Sequence, residues 1–114
     1  MIRIVVERDE KRQIAAFTVH GHASSPTDDN DIDLLCCAVS VLTQGCAMGL
    51  SDVAKIEADE FTIEKGRLYY RLPDELDEAQ RHDASVLLES MCISLRSLAQ
   101  SSANFVQISD EGAK

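Results

Sequence analysis

Hydrophobic residues occupy every second position in two runs near the start of the chain. Residues 2–7 and 12–20 both show this alternation, which is typical of β-strands with one buried face. The polar segment 8–11 lies between them and predicts a turn. We therefore expect the two runs to pair as an antiparallel β-hairpin.

A second hairpin is predicted further along the chain. Residues 55–64 and 67–72 carry alternating apolar positions, and Lys65-Gly66 between them is a turn sequence. Residues 104–109 predict a short last strand. Residues 110–114 form a polar C-terminal tail in this interpretation.

Two longer segments follow helical periodicity. From Leu34 to Leu50 the chain is apolar on nearly every side, which predicts a buried helix with Asp33 as its N-cap. From Asp77 to Ser101 apolar residues recur at helical spacing. The order strand-strand-helix-strand-strand-helix-strand predicts a two-layer α+β fold. We expect a mainly antiparallel sheet with both helices on one face.

Length and composition fit a single domain over residues 1–109. The chain has 114 residues, of which 45% are apolar. Its 20 acidic and 11 basic residues give a net charge of −9, which argues against direct nucleic-acid binding and favours a basic protein or peptide partner. No unbroken apolar run reaches about 18 residues, and the N-terminus has no apolar export signal. We therefore expect a cytoplasmic protein without membrane contact.

Four cysteines are candidates for chemistry: Cys36, Cys37, Cys46 and Cys92. None belongs to a Cys-x-x-Cys pair, so a zinc ribbon is not indicated. An intracellular chain keeps its thiols reduced, which leaves two interpretations, namely small core residues or a reactive thiol. Cys37, Cys46 and Cys92 are expected to lie in the core, because each shares a helix face with apolar residues.

The remaining cysteine and one histidine could form a catalytic pair. Cys36 would lie in the first turn of its helix, where free backbone N–H groups and the helix dipole lower a thiol pKa and bind an oxyanion. His22 follows the second strand and could act as the base. Strand alternation would place His22 opposite Phe17, so the pair requires Gly21 to break the alternation. By spacing alone, a buried structural cysteine and a turn histidine are the alternative interpretation.

Two motifs in this region resemble a known family. The stretch Phe17-Thr-Val-His-Gly-His-Ala23 is similar to a Gly-His-Ala signature, and Asp33-Leu-Leu-Cys-Cys-Ala-Val-Ser40 is similar to an Asp-x-x-Cys-Ala-x-x-Ser signature. Both signatures belong to the ribosomal-processing cysteine protease family known as Prp. The order of elements and the later helix around residues 88–95 also resemble that family, so the likeness covers most of the chain.

The resemblance implies which residues form the catalytic site. His22 would be the general base and Cys36 the nucleophile. The supporting positions would be Gly21, Asp33 and Ser40. Asp33 is preferred to Asp31 because it keeps the family's spacing to a cysteine. The resemblance implies no cofactor and no metal.

A polar loop over residues 23–32 separates the two motifs. It is rich in Ser, Asp, Asn and Pro, which is typical of a loop. The resemblance implies that this loop acts as a lid over the substrate. The lid residues expected to contact a basic peptide are Ser24, Asp28, Asp29 and Asp31.

The resemblance also implies a substrate and an assembly. Members of the family remove a basic N-terminal extension from a large-subunit ribosomal protein, and we expect this chain to do so as a homodimer. Two other functions stay open at this point. One is a non-enzymatic ribosome-assembly module, and the other is a small thiol- or metal-binding regulator that uses His20, His22 and Cys36.

Overall fold

The computed structural model describes the backbone of residues 1–21 and 29–111, and the side chains of residues 1–21 and 34–111. Seven elements follow in chain order: β1 (Ile2–Arg8), β2 (Ile14–His20), α1 (Asp29–Asp52), β3 (Glu60–Glu64), β4 (Arg67–Arg71), α2 (Glu78–Ser101) and β5 (Val106–Glu111). The predicted order of strands and helices is confirmed, and so is the α+β class.

The five strands form one mixed sheet in the order β3-β4-β2-β1-β5. Three neighbouring pairs are antiparallel, as the two hairpins predict. β5 instead lies parallel to β1, because α2 carries the chain back across the sheet before β5 begins. β5 runs to Glu111, so it includes the first two residues of the segment predicted as a tail.

One face of the sheet and the inner sides of both helices form the core. Phe17 of β2 stacks on Tyr70 of β4, with ring centroids 5.4 Å apart. Leu50 of α1 and Leu95 of α2 are fully buried in the same cluster. On the other face of β1, Arg3 is exposed and Val5 is half-buried. The alternation in the sequence therefore identifies the buried face of β1 correctly, whereas on β2 the neighbours Ala16 and Phe17 are both buried, close to an irregularity at which the register with β1 shifts.

The start of α1 differs from the prediction. The helix begins at Asp29 rather than Leu34, so residues 29–32 are helical and Asp33 is not the N-cap. A segment with loop-like composition is therefore helical here. Cys36 consequently lies beyond the first turn.

The burial of α1 is also less complete than predicted. Val41 and Met48 on its outer side are 66% and 61% exposed, whereas Val39 and Ala47 on its inner side are buried. A helix that is apolar all round has its outer side uncovered when the chain supplies only one layer beneath it.

Residues Leu34–Asp52 of α1 are also long and apolar enough to cross a membrane by length and composition, with a mean hydropathy of 1.7. The expectation from the sequence that no segment of the chain would be long and apolar enough to span a membrane is corrected by this finding. The inner side of the same helix packs into the core, and a core helix satisfies the same criterion. The absence of membrane contact stays a prediction.

Candidate active site

The four cysteines differ in their accessibility. Cys46 and Cys92 are buried, as predicted. Burial raises the pKa of Cys46 to about 12 and also raises the pKa of Cys92. Since a thiol attacks as the thiolate, both are poor nucleophiles. Cys36 is half-buried and Cys37 is exposed, so the reactive candidates are these two neighbours.

Cys36 and Cys37 face different sides of α1. Cys37 lines an apolar groove between α1 and α2, together with Leu34, Val41 and Leu98. The prediction that Cys37 lies in the core is therefore wrong. Cys37 lies on the face of α1 that the sheet does not cover. Cys36 points in another direction, because consecutive helical residues are about 100° apart.

Cys36 opens on a cavity of about 210 Å³ at one end of the sheet. Its walls come from the start of β1, the end of β2, one face of α1 and the β3–β4 hairpin. The lining residues are Ile2, Val19, Gly21, Cys36, Val39, Ser40, Thr43, Gln44, Ile63, Glu64, Gly66, Arg67 and Leu68. A larger cavity of about 710 Å³ beside β1 and β5 has no cysteine in its lining. The smaller cavity is therefore the candidate active site.

Gly21 closes one wall of this cavity and redirects the chain there. Its φ of 92° is in a region that favours glycine, and its N–H donates to the carbonyl of Gly66 at 3.0 Å. A Cβ at this position would overlap the backbone carbonyl oxygen of Met1. The alternation of β2 ends at His20, which is exposed. Gly21 thus breaks the alternation, as the catalytic pair requires.

One face of α1 carries a polar series along the cavity. Cys36, Ser40 and Gln44 are spaced four residues apart, and all three line the cavity. Ser40 and Cys36 therefore share one wall of the cavity. Thr43, beside them, is buried and donates its hydroxyl to the carbonyl of Val39 at 2.8 Å. Thr43 is therefore committed to the helix, whereas Ser40 and Gln44 present polar groups to the cavity.

The β3–β4 hairpin supplies the wall that the sequence did not predict. Ile63, Glu64 and Arg67 line the cavity from the two sides of the Lys65-Gly66 turn. No motif marks these residues. They line the cavity because the hairpin turn contacts the end of β2, and the hydrogen bond between Gly21 and Gly66 holds these two segments together. This long-range contact was not predictable from the sequence.

The remaining predicted site residues are only partly placed. His22, Ser24 and Asp28 lie outside the described residues. Asp29, Asp31 and Asp33 are part of helix α1, so they do not belong to a loop. The prediction of a lid loop over residues 23–32 is therefore wrong for residues 29–32.

The cavity combines a thiol with hydrogen-bond donors. Cys36 is the eighth residue of α1, counted from Asp29, so its N–H belongs to the helical hydrogen-bond pattern. The predicted oxyanion site at the helix N-terminus is corrected accordingly. The hydrogen-bond donors on the cavity wall are instead the hydroxyl of Ser40 and the amide of Gln44. A thiol facing such donors suits nucleophilic attack on an acyl carbon.

Comparison with known proteins agrees with this chemistry. The sequence model of the family described as cysteine protease Prp matches residues 1–107. The chain is 27% identical over 99 residues to the ribosomal processing cysteine protease Prp of Bacillus subtilis (strain 168). The aligned residues cover 86% of this chain and 87% of that protein.

Solved structures have the same fold. The ribosomal processing protease Prp from S. aureus in complex with a substrate peptide superposes with a TM-score of 0.81 at 13% identity, over 97% of this chain and 100% of that one. SMU.848 from Streptococcus mutans gives a TM-score of 0.79 at 21% identity, over 96% and 93% of the two chains. These identities establish the fold alone, whereas the family match extends over nearly the whole sequence and includes the cavity that Cys36 borders. The chain is a cysteine protease and belongs to the Prp family.

Proposed function

We propose that this protease removes a basic N-terminal extension from a large-subunit ribosomal protein, with Cys36 as nucleophile and His22 as general base. The observation that carries the proposal is the cavity shared by Cys36 and Gly21. Gly21 immediately precedes His22 in the chain, and Cys36 is the accessible thiol on that cavity. A ribosomal substrate also makes the cytoplasm the expected site of the reaction.

The reaction would proceed by acyl transfer. His22 takes the proton of the Cys36 thiol, and the sulfur attacks the carbonyl carbon of the scissile peptide bond. As the tetrahedral intermediate collapses, the C–N bond breaks and His22 gives its proton to the leaving amine. The leaving amine is the new N-terminus of the shortened ribosomal protein, and the extension stays on Cys36 as a thioester. Water, deprotonated by His22, then attacks the thioester carbonyl, the C–S bond breaks and the extension leaves as a carboxylate. Cys36 recovers its proton in this last step.

The supporting residues would act through position and hydrogen bonding. Gly21 directs the chain at the cavity wall, and Ser40, one turn beyond Cys36, offers a donor to the developing oxyanion. Asp33 precedes Cys36 by three residues, so it lies close to the nucleophile along α1. Asp28, together with Asp29 and Asp31 at the start of α1, would attract a basic substrate through its charge. Ser24 is uncharged and would contribute a hydrogen bond.

Charge supports a basic substrate. The chain has a net charge of −9, and long-range attraction to a basic extension would raise the rate of encounter. kcat/KM should therefore fall as ionic strength rises, because salt screens this attraction. A flat salt profile would remove electrostatic steering from the proposal and would leave the catalytic assignment untouched.

Cleavage of the ribosomal protein is the direct test. The protein is incubated with the full-length ribosomal protein of its own host, and the new N-terminus is identified by mass spectrometry. Cys36→Ala and His22→Ala proteins with unchanged melting temperatures should not cleave it. A wild-type protein that leaves the extension intact but cleaves other peptides would refute the substrate assignment. A cleaving Cys36→Ala protein would refute the catalytic one.

We also propose that the protease is a homodimer that pairs through the outer side of α1. Leu34, Val41 and Met48 are exposed there at intervals of seven residues, and Gly45 between them has open space above it. An apolar stripe with this spacing is typical of a helix packed on another helix. A second copy would cover it and remove the cost of its exposure.

The dimer is tested by its mass in solution. Light scattering should give about 25 kDa, which is twice the 12.5 kDa of one chain. Val41→Asp should give the monomer mass, whereas Val53→Asp should not, because Val53 is exposed beyond the end of α1. A wild-type mass of 12.5 kDa at micromolar concentration would refute the dimer.

A further inference from the structure

The strand β3 is the edge of the sheet on the side of the candidate active site. It pairs with β4 on one side, and the strand order leaves its other side open. Its residues Ile63 and Glu64 line the cavity that contains Cys36. An open edge presents unpaired backbone N–H and C=O groups in a row, which can hydrogen-bond an extended chain.

The side of β3 that faces the helix layer is apolar and uncovered. Phe61 and Ile63 pair across the hairpin with Tyr70 and Leu68, which are buried. Phe61 itself is 46% exposed and Ile63 is 57% exposed. The helices therefore cover β4 and stop short of β3. Exposed apolar residues on an open edge strand favour unwanted association unless they have a binding function.

The opposite wall of the same space is polar. Ser40 and Gln44 of α1 line the cavity that Ile63 borders. An extended chain placed along the open edge would have backbone partners on β3. Its side chains on the helix side would lie next to Ile63 and face the polar residues Ser40 and Gln44 of α1. Phe61 and Ile63 are two residues apart, which is also the repeat of side chains on one face of an added strand.

We propose that the substrate peptide binds as an added strand along the open edge of β3, with a bulky apolar side chain seated on Ile63. Ile63 is then a specificity-determining residue, and Gln44 contacts the peptide from the other wall. This inference rests on the proposed protease function, because it places the peptide where its chain runs directly to Cys36. Continuity of the edge with the Cys36 cavity favours the substrate over a second copy of the protein as the occupant.

Backbone pairing predicts a period of two, since alternate residues of an added strand hydrogen-bond to the edge. A set of fluorescent substrate peptides is prepared, each N-methylated at one position, and binding to the Cys36→Ala protein is measured by anisotropy. Methylation at alternate positions should weaken binding about tenfold or more, and methylation at the positions between them should not. A uniform response, or no binding of the parent peptide, would overturn the added-strand geometry.

The role of Ile63 is tested by selectivity. Two cleavable peptides are compared, one with a bulky apolar residue and one with alanine at the position nearest β3. The wild type should prefer the bulky peptide by about tenfold or more in kcat/KM. Ile63→Thr, which keeps a β-branched residue in the strand, should lose most of this preference. Val86→Thr is the matched control, because Val86 is 55% exposed on α2.

The results separate this inference from the proposed function. Cleavage of the ribosomal extension with an unchanged preference in Ile63→Thr would overturn the docking inference and leave the protease assignment standing. Failure to cleave that extension, combined with loss of preference in Ile63→Thr on other peptides, would refute the ribosomal substrate and support the docking site.

Discussion

A charged cluster joins the last strand to the first strand and to α2, and it gives the sharpest prediction about stability. Arg8 donates from Nε to Oδ1 of Asp110 at 2.8 Å and from Nη2 to Oδ2 at 3.0 Å. It also forms a two-point contact with Glu89 at 2.6 and 3.0 Å. The side chains of Arg8 and Asp110 are only 11% and 13% exposed. Arg96 adds a bond to Asp110 at 2.6 Å.

The substitution Asp110→Asn keeps the shape of the side chain and removes its charge. One carboxylate oxygen is replaced by an NH₂ group, which faces a donor of Arg8 whichever way the amide turns, and the bonds that remain lose the charge of the carboxylate. Each lost charge-assisted bond is worth about 1.5–3 kcal/mol. Arg96 is 46% exposed and Arg8 keeps its contact with Glu89, so the lower end of the range applies. We expect a loss of about 3 kcal/mol in the free energy of unfolding.

The assay is thermal and urea unfolding of the variant beside Asp83→Asn, a matched control on the exposed surface of α2. At roughly 4 °C per kcal/mol for a chain of this size, Asp110→Asn should melt about 12 °C lower than the wild type. Asp83→Asn should change stability by no more than about 0.5 kcal/mol. Equal melting temperatures for the three proteins at pH 7 would refute the importance of the cluster.

The same prediction has a pH dependence of known sign. The hydrogen bond from Arg8, assisted by the charge of Arg96, lowers the pKa of Asp110. A carboxyl group whose pKa is lower in the folded state stabilises the fold above its unfolded pKa of about 4 and loses that contribution as pH falls through the folded pKa. The difference between wild type and Asp110→Asn should therefore shrink below about pH 4. A difference that stays constant into strong acid would contradict this explanation.

Three further predictions concern single groups. At pH 7 iodoacetamide should label Cys36 faster than Cys37, although Cys37 is more exposed, because the histidine of a catalytic pair accepts the thiol proton as the sulfur is alkylated; faster labelling of Cys37 in mass-spectrometric mapping would contradict the pairing. Gly21→Ala should lower stability by about 1–3 kcal/mol and reduce cleavage, and an unaffected melting temperature would refute the strain. Tyr70→Phe should leave stability unchanged or raise it by up to about 1 kcal/mol in urea unfolding, because its buried hydroxyl has no hydrogen-bond partner among the described residues.

The sequence predicts the hairpins and α2 well because their signals are local. The Lys65-Gly66 turn places its positive φ at Gly66, and β3 and β4 pair on either side of it. The first strand of this hairpin begins at Glu60, however, and not at residue 55 as predicted. α2 begins after Asp77, whose side chain accepts from the N–H of Gln80 in a capping box. Both features depend on residues within a few positions of each other, so a single sequence contains the necessary information.

The predictions about α1 fail where the deciding interaction is not local. Composition identifies an acidic, polar segment before Leu34 but does not decide between a loop and a first helical turn, because the same residues favour both. Periodicity shows that α1 is apolar all round. It does not show which side meets the sheet, so the exposure of Cys37 and Met48 was not predictable. The parallel pairing of β5 with β1 likewise depends on contacts between the two ends of the chain.

Only those residues of the candidate site that belong to the two sequence motifs were predictable from the sequence. Gly21, Cys36 and Ser40 have motif positions, and the structure brings all three to one cavity. Gln44 could have been found from its spacing of four residues after Ser40. Arg67 could not, because its place in the wall depends on the meeting of the β3–β4 hairpin with the end of β2.

The assignment of the nucleophile rests on the difference between two adjacent thiols, which gives the most decisive prediction. Cys36 opens on the cavity bordered by Gly21, whereas Cys37 lies in the groove between the helices. Cys36→Ala should therefore lower cleavage by at least about 10⁴-fold with an unchanged melting temperature, since removal of a nucleophile leaves only the contribution of binding. Cys37→Ala should keep most of the activity and change stability by no more than about 0.5 kcal/mol, because its side chain is exposed. An active Cys36→Ala protein beside a folded but inactive Cys37→Ala protein would show that the catalytic thiol is the other one.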